Sequence, residues 1–166
     1  RPVEAIAGEM AMFWHERRAR VFNFMDDNLL PVEAAEALRW LAELRLALDR
    51  LRVGRLAFSM QIRADVVSSE VAEDLADLGL VRAYVGIDAF SGGQLRTLGR
   101  AAPADAGPAA LDRLGARGVF CVCNALVVGP TFRFESVRAE IESLERIVGA
   151  PMHLLPIDAR AGTTYT

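Results

Sequence analysis

Apolar positions recur along the chain in two alternating rhythms, one spaced as in amphipathic helices and one in short, nearly continuous runs. Val3, Ile6, Met10, Phe13 and Trp14 share one face of a first helix, and Arg17 and Arg18 complement the dipole at its C-terminal end. The aromatic-rich run from Val21 to Met25 predicts a strand. Pro31 then falls near the first turn of a long helix with Leu38, Leu41, Leu44, Leu48 and Leu51 on its buried face. A second strand is expected over Leu56 to Gln61. It is followed by a helix with Val71, Leu75 and Leu78 inward and Gly79 at its end. The third strand is Ala83 to Ile87, and a helix from about Pro103 to Leu114 stops at Gly115 and Gly118. The fourth strand is Val119 to Val128. Its helix carries Val137, Ile141, Leu144 and Val148 and halts at Gly149 and Pro151, before a fifth strand from Met152 to Ile157.

Strand and helix in strict alternation imply parallel βαβ units, hence an α/β fold, either doubly wound or part of a (β/α) barrel. Both architectures gather their chemistry at the C-terminal ends of the strands. Those ends carry Asp26-Asp27-Asn28, then Gln61, Arg63 and Asp65, then Asp88 and Ser91-Gly92-Gly93. The fourth strand contains Asn124 and exits at Gly129-Pro130-Thr131, and the fifth is followed by Asp158, Arg160 and Gly162-Thr163. The opposite edge carries turn glycines and arginines such as Gly54, Arg55 and Arg82. Any single Asp or Asn after a strand can serve as a helix cap. Five polar strand ends in succession predict a lined mouth, and so a binding or catalytic face.

Composition narrows the chemistry. With 166 residues, 52% of them apolar and 25% charged, the chain is expected to form a single globular domain spanning 1–166. The pattern opens inside a helix and stops at Thr163-Thr164-Tyr165-Thr166 without a closing helix, as expected of a portion cut from a larger protein. All 19 basic residues are arginine, which excludes Schiff-base and phosphate-loop lysine chemistry within this segment. The 2 cysteines, Cys121 and Cys123, cannot by themselves make a zinc finger or hold an iron–sulfur cluster, and 2 histidines are too few for a multi-histidine metal site. A net charge of −3 gives no overall footprint for nucleic acid. No apolar run is long enough to span a membrane and no signal peptide opens the sequence, so a cytoplasmic location is expected.

Several stretches resemble the radical S-adenosylmethionine (radical SAM) enzymes. They are Phe22-Asn23-Phe24-Met25-Asp26-Asp27-Asn28, Gln61-Ile62-Arg63-Ala64-Asp65 and Tyr84-Val85-Gly86-Ile87-Asp88-Ala89-Phe90-Ser91. To these are added Ala125-Leu126-Val127-Val128-Gly129-Pro130 and Arg160-Ala161-Gly162-Thr163. They fall in the family's order over almost the whole chain. The resemblance implies a partial (β/α)6, TIM-like barrel of parallel strands. The family's first strand and its Cys-x-x-x-Cys-x-x-Cys loop would lie upstream of Arg1. It further implies binding of S-adenosylmethionine (SAM), and a [4Fe–4S] cluster whose ligands lie in that missing segment. With the cluster, a 5′-deoxyadenosyl radical would form, whereas this portion alone would be inactive.

Matched position by position, the resemblance assigns Asp26, Asp27 and Asn28 to the SAM amino group, and Gln61 and Arg63 to the polar positions that follow. Asp88 stands where the family commonly has Glu. Val128, Gly129 and Pro130 match the adenine-facing backbone, which Gly162 and Thr163 would complete; Glu135 is a loose counterpart of an acidic residue in that motif. The Asp-Asp-Asn and Gln-x-Arg-Ala-Asp spellings are most similar to the branch that carries an upstream cobalamin-binding domain, in which methyl transfer is common. Expected partners are a small-molecule or peptide substrate and the upstream cluster-binding segment, with no nucleic acid and no membrane.

Two other readings stay open on the residues alone. Asp26, Asp65, Asp88 and Asp158 could hold a divalent ion in a barrel hydrolase or lyase, or the chain could be an inert scaffold of the same fold serving a partner. Plainer readings apply elsewhere. Cys121 and Cys123, two apart in a strand, point to one face and are expected to be buried inert thiols. His153 and Trp40 read as packing residues and His15 as solvated; Arg160 either pairs with Asp158 or meets ligand.

Overall fold

The computed structural model describes residues 1–89, 95–96, 103, 105–128, 133–144 and 151–156. The elements run α1 (Val3–Glu16), β1 (Val21–Asn23), α2 (Ala34–Arg50), β2 (Ala57–Arg63), a 3-10 turn (Ala64–Val66), α3 (Ser69–Leu78) and β3 (Leu80–Asp88). They continue with α4 (Ala106–Gly115), β4 (Phe120–Val128), α5 (Phe134–Leu144) and β5 (Met152–Pro156). The five strands form one sheet in the order of the sequence, and every pairing is parallel. A doubly wound sheet reverses its order at a switch point. Here every crossover steps the same way, as in a (β/α) barrel. The sheet stays open between β1 and β5, so among the described residues the barrel is partial.

The alternation along β2 sorts its two faces. Phe58, Met60 and Ile62 are buried, while Ala57, Ser59, Gln61 and Arg63 are half-exposed. The register carries the same division across the sheet: Met60 lies beside Ala83 and Ile62 beside Val85, and these neighbour Cys121 and Cys123. That apolar face packs under Leu41 of α2, Val71 and Leu75 of α3 and Leu114 of α4. Met60, Leu75, Val85 and Leu114 are almost fully enclosed, and each such burial is worth about 1.5–3 kcal/mol. A second cluster, Val3, Ile6, Ala7 and Met10 against Leu44, Ala47, Leu48 and Val53, fastens α1 to the outer side of α2.

Several boundaries differ from expectation for local reasons. β2 runs on to Arg63 because Gln61 and Arg63 still find register partners in Tyr84 and Gly86. β1 ends at Asn23, although the Phe24 amide still donates to Ser59 O at 2.9 Å. Pro31 lies in the loop before α2, which starts at Ala34. On that helix Ala37 and Ala47 share the buried face with Leu41, Leu44 and Leu48, whereas Leu38 is half-buried and Leu51 is 41% exposed just past the last turn. Phe13, expected in the core, is 39% exposed at the end of α1. Trp40 packs against both clusters, as expected. His15 is exposed, with Nε2 2.9 Å from Leu51 O. The helix expected from Pro103 begins at Ala106. His153 falls on β5, but its side chain lies outside the described residues, as do Asp158 and Arg160 altogether.

Two side-chain-free or side-chain-capped turns hold α3 in place. Ser68 Oγ accepts the Val71 amide at 3.1 Å and starts the helix. Gly79 ends it at φ 111°, and β3 begins at the next residue. A Cβ on Gly79 would stand 2.3 Å from the Leu56 carbonyl oxygen. Gly79→Ala therefore combines backbone strain with a backbone clash. A loss of about 2 kcal/mol or more is expected in urea denaturation, with the m-value unchanged.

Candidate functional site

Because the strands are parallel and in register, the polar face of the sheet brings residues from separate motifs to one place. Arg63 is the register partner of Gly86, and Gly86 in turn of Asn124; one step back, Gln61 pairs with Tyr84. A hollow of about 340 Å³ opens over this region, inside the range of roughly 300–1,000 Å³ usual for small-ligand sites. Asp27 and Asn28 border it from the loop after β1, and Gln61, Arg63 and Asp65 from the end of β2. Tyr84, Gly86 and Ile87 line it from β3, and Ala106 and Gly107 from the start of α4. Gly86 leaves the floor bare: a Cβ there would meet nothing closer than Ile62 O at 3.9 Å. Gly107 acts differently. Its missing side chain lets α4 close onto β3, since a Cβ would stand 2.8 Å from Ile87 Cγ2.

The charges at the mouth are already organised. Arg63 Nε donates to Asp65 Oδ1 at 3.0 Å and Nη2 to Asp65 Oδ2 at 2.5 Å, a two-pronged pair at the end of β2. Both side chains are about a third exposed or less, so solvent screens the pair only in part. Nearer the middle of the sheet, Ser59 Oγ donates to Asn23 Oδ1 at 2.6 Å and ties β1 to β2. Asn124 brings a side-chain oxygen that is buried yet accepts no hydrogen bond. A buried carbonyl oxygen in that state favours an added donor, which a ligand can supply.

The expected site residues divide accordingly. Asp27, Asn28, Gln61 and Arg63 border the one hollow. Asp26 does not join them: it lines a neighbouring hollow of about 410 Å³, with Phe13, Phe22, Phe24 and Met25 beside the open edge of β1. Successive residues of an extended loop point to opposite sides, and the spelling Asp-Asp-Asn conceals that split. Asp88 and Val128 close β3 and β4 as backbone, but their side chains are outside the described residues; so are Gly129, Pro130, Gly162 and Thr163 altogether. Tyr84 lines the hollow without having been named as a site residue from the sequence, and Ser59 and Asn124 stand in the same polar rows outside the lining. Their signal is the strand alternation, since Ser59, Gln61 and Arg63 stand two apart and Tyr84 and Gly86 continue the row.

Of the carboxylates needed for a divalent ion, Asp26 and Asp65 do not converge, while the Asp88 side chain and Asp158 lie outside the described residues. Asp65 is held by Arg63, Asp26 lines the other hollow, and among the described residues no three His, Cys, Asp or Glu side chains are grouped as metal ligands. Cys121 and Cys123 are buried on the helix-facing side of β4, away from the hollow. Burial raises both thiols, Cys123 to about 11.

No protein-family model and no curated protein sequence matches the chain. Solved structures do. The chain is similar to the radical S-adenosylmethionine methyltransferase TsrM from Kitasatospora setae, solved with a tryptophan substrate and a SAM analogue bound. The TM-score is 0.74 at 19% identity over 93% of this chain and 30% of that one. The cobalamin-dependent SAM radical enzyme OxsB gives a TM-score of 0.75 at 17% identity over 98% of this chain and 24% of that one. Coproporphyrinogen III oxidase from Escherichia coli, a radical SAM enzyme, gives 0.65 at 14% identity over 92% and 35%. The fold is that of the radical SAM enzymes, and the chain spans about a third or less of the length of these three structures.

A thiol raised to about 11 is ionised on the order of one part in a thousand at pH 8. Cys121 and Cys123 should therefore resist alkylation at that pH in the folded protein and react only after denaturation, as read by peptide mass mapping. Rapid labelling of either in the native state would contradict the placement of β4.

Proposed function

We propose that the chain is the SAM-binding core of a radical SAM enzyme, with the cofactor lying across the C-terminal ends of the strands. The observation that carries this reading is the convergence of Asp27, Asn28, Gln61 and Arg63 on one hollow floored by Gly86. The fold adds support, since its solved neighbours include a methyltransferase with a SAM analogue bound. Charge complementarity favours the same ligand: SAM carries an ammonium, a carboxylate and a sulfonium, and the hollow carries carboxylates, a guanidinium and amides.

On this reading Asp27 accepts from the α-ammonium, the charge-assisted bond that a partly dry pocket rewards most. Asn28 and Gln61 offer amide donors and acceptors beside it. Arg63 arrives oriented by Asp65, so a ligand carboxylate meets a guanidinium whose rotamer is already set and gives up less side-chain entropy on pairing. Gly86 leaves room for a flat or bulky group against the sheet. Val128, Gly129, Pro130, Gly162 and Thr163 complete the site toward the adenine as the family resemblance assigns them, with Asp88 at the end of β3 where the family commonly has Glu. Asp26 faces the neighbouring hollow and belongs to a second contact.

The cluster that donates the electron to SAM does not fit this chain's own thiols, which face the helices. Its ligands are assigned to a cysteine-bearing segment upstream of Arg1. Methyl transfer with cobalamin is the finer reading. It rests on the spellings at Asp26-Asp27-Asn28 and Gln61 to Asp65, and on neighbours described as cobalamin-dependent or as methyltransferases. The protein's own contribution is to orient SAM and to keep water from the radical, because the cofactor supplies the difficult chemistry. The substrate is a small molecule or a peptide, and the location is the cytoplasm.

Calorimetric titration of the cluster-loaded full-length protein with SAM tests this reading. Asp27→Asn should weaken binding roughly 10–100-fold, the equivalent of one charge-assisted hydrogen bond. Gly86→Val should weaken it at least as much while leaving the melting temperature unchanged, because its Cβ has room in the unliganded fold. Absence of SAM binding by the wild-type protein would leave the inert scaffold as the surviving reading.

A further inference from the structure

The end of the sheet opposite the hollow carries a concentration of positive charge that the proposed chemistry does not use. The α1–β1 turn holds Arg17, Arg18 and Arg20, and the α2–β2 turn holds Arg50, Arg52 and Arg55, all exposed. Only Glu16 and Asp49 oppose them within these two turns, in a chain of net charge −3. The turns form one surface. His15 Nε2 lies 2.9 Å from Leu51 O, the Ala57 amide donates to Arg20 O at 2.8 Å, and Gly54 leaves just enough space for the Trp14 ring. Arg20 is itself fixed there, 3.8 Å over the Trp14 ring, and donates to the carbonyls of Trp14 and Ala19. No ion pair ties Arg17, Arg18, Arg50, Arg52 or Arg55 among the described residues.

Helix dipoles explain only part of this. Arg17 and Arg50 sit where they complement the C-terminal ends of α1 and α2. The other arginines lie beyond those last turns. The four helix-to-strand turns from α1 to α4 each contain one left-handed residue, and they divide by side of the molecule. After α3 and α4 it is Gly79 (φ 111°) and Gly118 (φ 75°); after α1 and α2 it is Arg18 (φ 55°) and Arg52 (φ 54°). A glycine would take these two positions more cheaply. The chain uses glycine where only the turn matters and arginine where the turn faces this surface.

We infer that this arginine face is a docking surface for an acidic protein. Exposed aliphatic side chains lie among the charges, with Leu51 41% and Val21 72% exposed. Arginines interleaved with apolar groups match the composition of a protein interface. A phosphodiester backbone has no use for the apolar groups, and two exposed aliphatic side chains fall short of the continuous apolar face that anchors a segment in a bilayer. The face lies about 23 Å from the hollow, the length of a seven-residue strand such as β2. A partner seated there therefore leaves the strand-end mouth open.

The test uses the full-length protein with three probes at low salt: labelled poly-L-glutamate, duplex DNA, and phosphatidylserine vesicles. Poly-L-glutamate should bind tightest, and its binding should fall as salt shortens the screening length. R18G/R52G should keep or raise the melting temperature, because glycine suits both backbone positions, yet weaken poly-L-glutamate binding about tenfold or more. Arg39→Gln, on α2 outside the two turns, should change neither. The inference is overturned if R18G/R52G binds poly-L-glutamate like the wild type, if Arg39→Gln weakens it as much, or if DNA or vesicles bind more tightly.

Discussion

The side-by-side parallel register of β2, β3 and β4 is the constraint on which the rest of the molecule depends. It sets Met60 beside Ala83 and Ile62 beside Val85 on one face, and Gln61 beside Tyr84 and Arg63 beside Gly86 on the other. A slip of one residue would turn Gln61 and Arg63 into the helix layer and Met60 into water. The burial of Met60, Val85, Leu75 and Leu114 therefore stabilises the fold and holds the polar hollow in place by the same contacts. Core and site are two faces of one pairing.

The two ends of the sheet are built on different principles. At the C-terminal ends the strands deliver polar side chains that turn toward one another, with Arg63 pre-paired to Asp65 and Gly86 leaving space between neighbours. At the N-terminal ends the turns carry exposed arginines, of which Arg17, Arg18, Arg50, Arg52 and Arg55 form no ion pair among the described residues, on a surface held by Trp14, His15 and Gly54. Charge is thus segregated along the strand axis in a chain whose net charge is small. The proposed ligand site lies at one end and the inferred docking face at the other.

Much of the site was legible because strand ends are legible. Asp27, Asn28, Gln61 and Arg63 could be named from their positions after apolar runs, and they meet at one hollow. Asp26 could not be separated from Asp27, because adjacency in sequence hides which way each side chain turns. Asp65 could be read as a metal ligand, since nothing in the spelling Arg-Ala-Asp shows that the chain folds back into a 3-10 turn and brings the carboxylate onto Arg63. Tyr84 looked like strand interior, and only the pairing of β3 with β2 shows that it sits on the polar face.

Local composition alone determined the alternation of helix and strand, the parallel character of the sheet, the burial of the two cysteines and the glycine that ends α3. Each depends on a period or a backbone preference expressed within a few residues. Periodicity alone left the doubly wound sheet and the barrel open and the family resemblance implied the barrel; strand order, which never reverses among the described residues, decides for it. The tertiary structure also decided which carboxylates converge, and that the two arginine-bearing turns form one surface. These facts join residues from separate elements, and only packing in three dimensions brings such residues within reach of one another.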